Sequence, residues 1–204
     1  RMSFALGPLE IRVDHALRQL CIPGVAGVTG VGERNAQRAL VVLGHLVEGG
    51  ARIIDAACPA GPVEVLEWGC GPGRLIRHMP ELLAGHPATV VGSDYNSRTV
   101  RWCSDNLHGI TFVQNALDPP LSLAEERFDV VYCVSVFTHL SEEVQLAWAD
   151  ELRRVLKPGG LLICTTQGDN YRRLLADAGE RERYAAGELV VQGNYAEGRK
   201  WFFA

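Results

Sequence analysis

Val65-Leu66-Glu67-Trp68-Gly69-Cys70-Gly71-Pro72-Gly73-Arg74 decides how this 204-residue chain is read. Val63–Trp68 has the composition of a strand, and Arg74–Leu83 that of a helix disturbed at Pro80. The glycines between them permit a tight turn and let a ligand lie against backbone. A helix starting there would offer free N–H groups and a positive dipole end, suited to a carboxylate or phosphate. A nicotinamide-binding turn requires G-x-G-x-x-G. Here the third glycine comes one place early and Arg74 stands where that motif needs Gly, which disfavours a dinucleotide.

Downstream the pattern repeats. Strands are expected at Thr89–Ser93, Ile110–Val113, Phe128–Val134 and Leu161–Thr166. The nearly continuous apolar run Phe128–Val134 suits a strand covered on both faces. Helices are expected at Ser97–Leu107 and Ser141–Leu156. In the latter Ser141 would cap, Glu142 and Glu143 sit in the first turn, and Val144, Trp148, Leu152 and Val155 form one stripe. Lys157-Pro158-Gly159-Gly160 would end this helix and turn the chain. Strands alternating with helices imply an α/β fold, a Rossmann-like doubly wound and mainly parallel sheet in three α/β/α layers. Such sheets bind ligands beyond the carboxyl ends of their strands, where strand order reverses.

Upstream, short helices are expected at Arg12–Leu20, Glu33–Val47 and Ala51–Ala57, with a Gly-rich loop over Cys21–Arg34. Residues 1–32 read as an N-terminal extension placed to cap a substrate, and 33–204 as the main domain. After Thr166 come a helical stretch, Asn170–Ala186, and two short apolar pieces, Leu189–Val191 and Trp201–Ala204. Two final strands are not legible, so the domain reads as truncated or unusual at its end. An exposed Trp201–Phe203 would predict a partner chain or homodimer, and a buried one would simply complete the domain's own core.

The net charge of −4 is interspersed, without the basic stripe of a nucleic-acid binder. No apolar run approaches the roughly 20 residues that cross a bilayer. Arg153, Arg154 and Lys157 cluster where a helix should end and would complement its dipole. The six cysteines, Cys21, Cys58, Cys70, Cys103, Cys133 and Cys164, form no C-x-x-C pair. The expectation is a reduced, cytoplasmic chain with no structural metal, in which Cys58 is the thiol most open to oxidation.

Each strand end carries a candidate. Asp94 can accept both hydroxyls of a ribose, or else is a loop carboxylate or helix cap. Asn115, in Asn115-Ala116-Leu117-Asp118, can hydrogen-bond an adenine edge, although Asn and Asp are also ordinary turn residues. In Ser135–Leu140, His139 is a candidate general base near neutral pH, or else fixes the loop together with Thr138.

Taken together, VLEWGCGPGR, VVGSDYN, FDVVYCVSVFTHL and LRRVLKPGGLLICTT resemble, in order and spacing, the class I S-adenosylmethionine-dependent methyltransferases. The resemblance runs from about Glu33 to Thr166. It implies that Gly69, Cys70, Gly71 and Gly73 border the methionine part of the cofactor and that Glu67 orients its amino group. It further implies that Asp94 holds the ribose with Tyr95 packing near the adenosine, that Asn115 and Ala116 flank the adenine, and that Ser135 approaches the cofactor. The family often has Asp where Asn115 stands. The product would be S-adenosylhomocysteine, and the expected acceptor is an O or N of a small molecule, a sugar, metabolite or natural-product intermediate. The competing readings are a cofactor-binding regulatory module without turnover and, disfavoured by Arg74, a nicotinamide-dependent reductase.

Overall fold

The structure, a computed structural model, describes residues 61–85, 87–165, 169–188, 190–194 and 200–203. The expected extension over 1–32, the helices at Arg12–Leu20, Glu33–Val47 and Ala51–Ala57, and Cys21 and Cys58 lie outside the described residues.

Five strands form one parallel sheet: β1 (Val63–Trp68), β2 (Ala88–Asp94), β3 (Thr111–Gln114), β4 (Phe128–Cys133) and β5 (Leu156–Cys164). Their order is β3-β2-β1-β4-β5, so it reverses between β1 and β4. The connecting helices are α1 (Met79–Leu82), α2 (Ser97–Asn106) and α3 (Glu142–Val155). The α/β reading of the sequence is thereby borne out.

Apolar side chains alternate between two covered faces because successive strand residues point opposite ways. Leu66, Trp68, Val91, Val131 and Cys133 pack with Trp148, Leu152 and Val155 of α3. Val63, Val65, Val90, Val130 and Tyr132 pack with Ile76, Met79 and Leu83 on the other face. Trp148 is fully buried, with its ring centroid 4.6 Å from that of Trp68. Truncating such an aromatic to Ala removes about 3–5 kcal/mol of stability.

Several local expectations are corrected. The Gly-rich turn does not open a helix at Arg74. Turns continue to Leu75, a 3-10 turn covers Ile76–His78, and α1 has four residues. Pro80 has no N–H to give the carbonyl four residues back, so it is accommodated in a fresh first turn, where that N–H is not needed. The helix-dipole argument for an anion therefore does not hold here.

Ser141 holds the N-cap position of α3, but its side chain makes no capping bond. Instead the Gln145 amide donates to the Phe137 and Leu140 carbonyls, each at 3.1 Å, fixing the entry to the helix. Lys157–Gly160 does not separate α3 from its strand; it lies within β5 as an irregularity in which Asp129 of β4 opposes all four residues. Lys157 Nζ contacts both Asp129 oxygens at 2.9 and 2.8 Å, and Asp129 Oδ2 also accepts the Glu64 N–H at 2.8 Å. Arg153 and Arg154 lie in the last turn of α3, as expected of residues that complement its dipole, and the cluster has specific partners as well. Arg153 pairs with Asp150, and Arg154 binds Glu151 and donates to the Leu121 and Leu123 carbonyls.

The chain's end also differs from expectation. The helix expected over Asn170–Ala186 is divided into a 3-10 turn at Asp169–Leu174 and α4 (Ala178–Ala185), because Asp177 caps the Glu180 N–H at 2.9 Å and starts a new helix. Two further strands do follow, β6 (Val190–Asn194) and β7 (Lys200–Phe203), paired antiparallel with each other in a sheet of their own. Only Leu189–Val191 and Trp201–Phe203 looked apolar, and the polar Gln192 and Asn194 hid the first of these strands from a periodicity reading. Val190 is buried with Leu175 and Tyr184, and the backbone of β7 runs beside Phe137–His139. Trp201–Phe203 is therefore part of an intrachain strand pair. Among the described residues no helix is long and apolar enough to cross a membrane.

Candidate functional site

The Gly-rich turn is held to β2 by its backbone. Gly69 N and Cys70 N both donate to the Ser93 carbonyl, at 2.8 and 2.9 Å, and Gly73 N donates to Cys70 O at 3.0 Å. Gly69 has φ +74°, and a Cβ placed there would stand 2.5 Å from Val136 Cγ2. At Gly73 (φ +69°) it would stand 2.5 Å from Leu107 Cδ1. These two glycines are required both by backbone conformation and by close packing against the loop after β4 and the end of α2.

Asp94 ties the strand ends together. Its Oδ2 accepts the Gly71 N–H and its Oδ1 the Asn96 N–H, both at 2.8 Å, while its carbonyl accepts the Asn115 N–H at 3.1 Å. The carboxylate is buried rather than a solvated loop group. Nor does it cap α2. That role belongs to Asn96, whose side chain accepts from Arg98 N and Thr99 N. A carboxylate has about four lone-pair directions, so two remain for ribose hydroxyls.

Asn115 is 9% exposed. Its Nδ2 donates to the Ala116 carbonyl at 2.6 Å, which orients the amide, and its buried Oδ1 has no donor among the described residues. Buried acceptors are rarely left so, and this one suits an amino group such as the exocyclic N6 of adenine. Ser93 Oγ is also buried without a partner among the described residues. Tyr95 is 38% exposed, at the rim beside Asp94.

Beneath the turn, Glu67 is 3% exposed and accepts the Tyr132 hydroxyl at 2.9 Å. Burial pushes its carboxyl up to about 8, against the opposing pull of the Tyr132 and Ile76 donors. Cys70 and Cys103 both direct their thiols at the Gly71 carbonyl, at 3.7 and 3.5 Å. Burial raises both thiols, so they are packing groups rather than nucleophiles.

The loop after β4 closes the other side. Ser135 is left-handed (φ +57°), a strained state for a non-glycine residue, and its N–H donates to Thr165 Oγ1 at 2.8 Å. His139 ends a 3-10 turn whose Phe137 ring meets Trp68 edge-on at 5.3 Å. His139 N–H donates to the Val136 carbonyl at 2.9 Å, and the buried Thr138 hydroxyl to the Ser135 carbonyl at 3.4 Å.

The structure thus gathers Glu67, Gly69, Cys70, Gly71, Gly73, Asp94 and Asn115 through hydrogen bonds and contacts, with Ala116 and Tyr95 adjacent in the chain. Ser135 and His139 belong to the loop that meets Gly69 and Trp68 through Val136 and Phe137. Sequence reasoning missed Tyr132, Thr165, Val136 and Cys103. A lone hydroxyl inside the apolar run Phe128–Val134 was the available signal for Tyr132, since it stands in register with Glu67 on the neighbouring strand. No cluster that could hold a metal occurs among the described residues. A shallow groove of about 500 Å³ along Pro119, Pro120, Ala147 and Glu151 contains none of the residues of the Gly-rich turn.

A family model described as a methyltransferase domain matches residues 65–160. The chain is 36% identical over 124 residues to the ubiquinone biosynthesis O-methyltransferase of Cereibacter sphaeroides, covering 58% of this chain and 47% of that protein. It is 32% identical over 108 residues to the tRNA (carboxymethyluridine(34)-5-O)-methyltransferase of Arabidopsis thaliana, covering 52% and 24%. The TehB-like SAM-dependent methyltransferase structure from Corynebacterium glutamicum shares the fold, with a TM-score of 0.51 at 19% identity over 84% of this chain and 96% of that one. The chain spans about half the length of the curated ubiquinone relatives it matches.

Proposed function

We propose that this chain, whose residues 65–160 match a methyltransferase-domain model and which resembles an O-methyltransferase over 124 residues, binds S-adenosylmethionine at the β1–β4 switch point and methylates an oxygen of a small molecule. The observation that carries the reading is Asn115 Oδ1, which is buried one strand away from the Asp94–Gly71 bond and has no donor among the described residues. An acceptor for an amino group and a carboxylate with lone pairs to spare stand at adjacent strand ends, which is what an adenosine needs.

When bound, S-adenosylmethionine supplies an electrophilic methyl group on a positively charged sulfur. The chain's own residues position it. Gly69, Gly71 and Gly73 would admit the cofactor against backbone, Glu67 would orient its amino group, and Asp94 and Asn115 would hold ribose and adenine, with Cys70, Tyr95, Ala116 and Ser135 bordering it. Alignment and exclusion of water can supply about 7–11 kcal/mol of the barrier reduction. For a hydroxyl acceptor, His139 is the candidate to take the proton. The acceptor wall is assigned to the loop Ser135–Leu140 with β7 beside it, and to residues 1–32.

The O-methyltransferase relatives support oxygen over nitrogen. The test is transfer of a labelled methyl group from S-adenosylmethionine to a pool of small hydroxyl compounds, with tRNA as a parallel acceptor. Labelled small molecules support the reading. Labelled tRNA alone would replace the acceptor class, and cofactor binding with no transfer would identify a binding module instead. In His139→Ala, turnover should fall with cofactor affinity unchanged; unimpaired turnover removes His139 as the base.

A further inference from the structure

The proposed function uses Glu67 but gives no role to Tyr132, the one phenol inside the apolar run of β4. Both side chains are nearly sealed from solvent, at 3% and 5% exposure, and they face each other from neighbouring strands in register. The Tyr132 hydroxyl donates to Glu67 Oε2 at 2.9 Å. Ile76 supplies a backbone donor from the segment covering that face. The remaining ionisable groups that act on Glu67 are Asp94 at the end of β2, Arg74 just past the turn, and the thiols of Cys70, Cys103 and Cys133. Arg74 is exposed and Asp94 is acidic, so among the described residues no buried cation neutralises Glu67.

A carboxyl so placed is easier to keep protonated than ionised unless positive charge arrives. We infer that Tyr132 is a positioning residue whose hydroxyl holds the Glu67 carboxyl toward the cofactor's positive charge, and that cofactor binding expels the Glu67 proton to solvent. The inference rests on the cofactor reading above. Burial raises the Tyr132 phenol well above its ordinary range, so it stays a donor throughout. Its fixed hydroxyl selects one carboxyl orientation, and it stabilises the ionised form more than the neutral one.

The decisive experiment follows the Glu67 side-chain carbon by carbon-13 NMR in a pH titration of the 204-residue chain, free and saturated with S-adenosylmethionine. It is repeated in Tyr132→Phe. In the free protein the midpoint should lie near 8 and should move to below neutrality with cofactor. In Tyr132→Phe the free midpoint should move up, and affinity at pH 7 should drop roughly tenfold, the loss of one hydrogen bond to a charged group. A packing role alone would lower affinity or stability without moving the midpoint. An unmoved midpoint in Tyr132→Phe, or one unaffected by bound cofactor, overturns the inference while leaving the cofactor site intact. Absence of any cofactor-induced spectral change would overturn both readings together.

Discussion

Asp94 and Gly71 are joined by a 2.8 Å hydrogen bond from the turn's N–H to the strand-end carboxylate. The carboxylate proposed to hold the ribose and the Gly-rich turn are therefore one unit, and damage to one should reach the other. Asp94→Asn keeps the shape and removes the charge from both bonds. It should weaken S-adenosylhomocysteine binding at least tenfold, about 1.5–3 kcal/mol for a charged hydrogen bond. Calorimetry of the variant checks this, and an unchanged affinity would detach Asp94 from the cofactor.

Gly69→Ala combines a positive φ with a Cβ 2.5 Å from Val136 Cγ2. Strain of this kind amounts to about 1–3 kcal/mol, which urea unfolding should register. Adding Val136→Ala should restore part of the loss, since the clash is relieved while the backbone strain stays. A double variant no better than the single one would place the whole effect in the backbone.

Glu67 makes its own contribution to the pH dependence of stability. Its folded midpoint of about 8 lies above the ordinary carboxyl value of 4.5, so the folded state holds the extra proton between these pH values. The associated stability is fully present below about 4.5 and is lost as pH rises through 8. Unfolding of the free chain should become easier by roughly a few kcal/mol across this window. Glu67→Gln, which cannot ionise, should lack that slope and be the more stable protein at pH 8. Parallel slopes in the two proteins would mean that Glu67 titrates normally.

Much of this arrangement is legible in the sequence. Strand ends carry the ligand in a doubly wound sheet, so Asp94 and Asn115 could be picked from their place in the alternation, while Glu67 came only with the family resemblance. Partners across strands were not readable, because Tyr132 and Thr165 act through register rather than sequence proximity. The 3-10 turn at Ile76–His78 escaped for a different reason: an apolar stripe looks alike in broken and continuous helices, and only Pro80 warned of the break. The last strand pair escaped because β6 is interrupted by polar residues and β7 is only four residues long, too short to show a period. Asp94's bond to Gly71 spans 23 positions and has no local signature.

Glu151 and Arg154 test the part of the molecule that has no role in the site. Glu151 is buried, accepts the Leu121 N–H at 2.8 Å and binds Arg154 at 2.7 Å. Burial alone would raise its carboxyl, but the Arg154 and Leu121 donors outweigh it and hold it below the usual range. Its stabilising effect is present above the ordinary carboxyl range and is lost as pH falls through the depressed value. Glu151→Ala should destabilise the fold by about 2–4 kcal/mol at pH 7, and by less in acid, by leaving buried donors unpaired. Cofactor affinity should not change, and a large change would show that the Leu121 loop is coupled to the site.

The proposed cofactor pocket is tested most directly by calorimetric titration of the purified chain with S-adenosylmethionine and S-adenosylhomocysteine, with NADH as control. The expected result is saturable binding of both, in the micromolar range, and none of NADH. Failure of a folded chain to bind either one, or a preference for NADH, would contradict it.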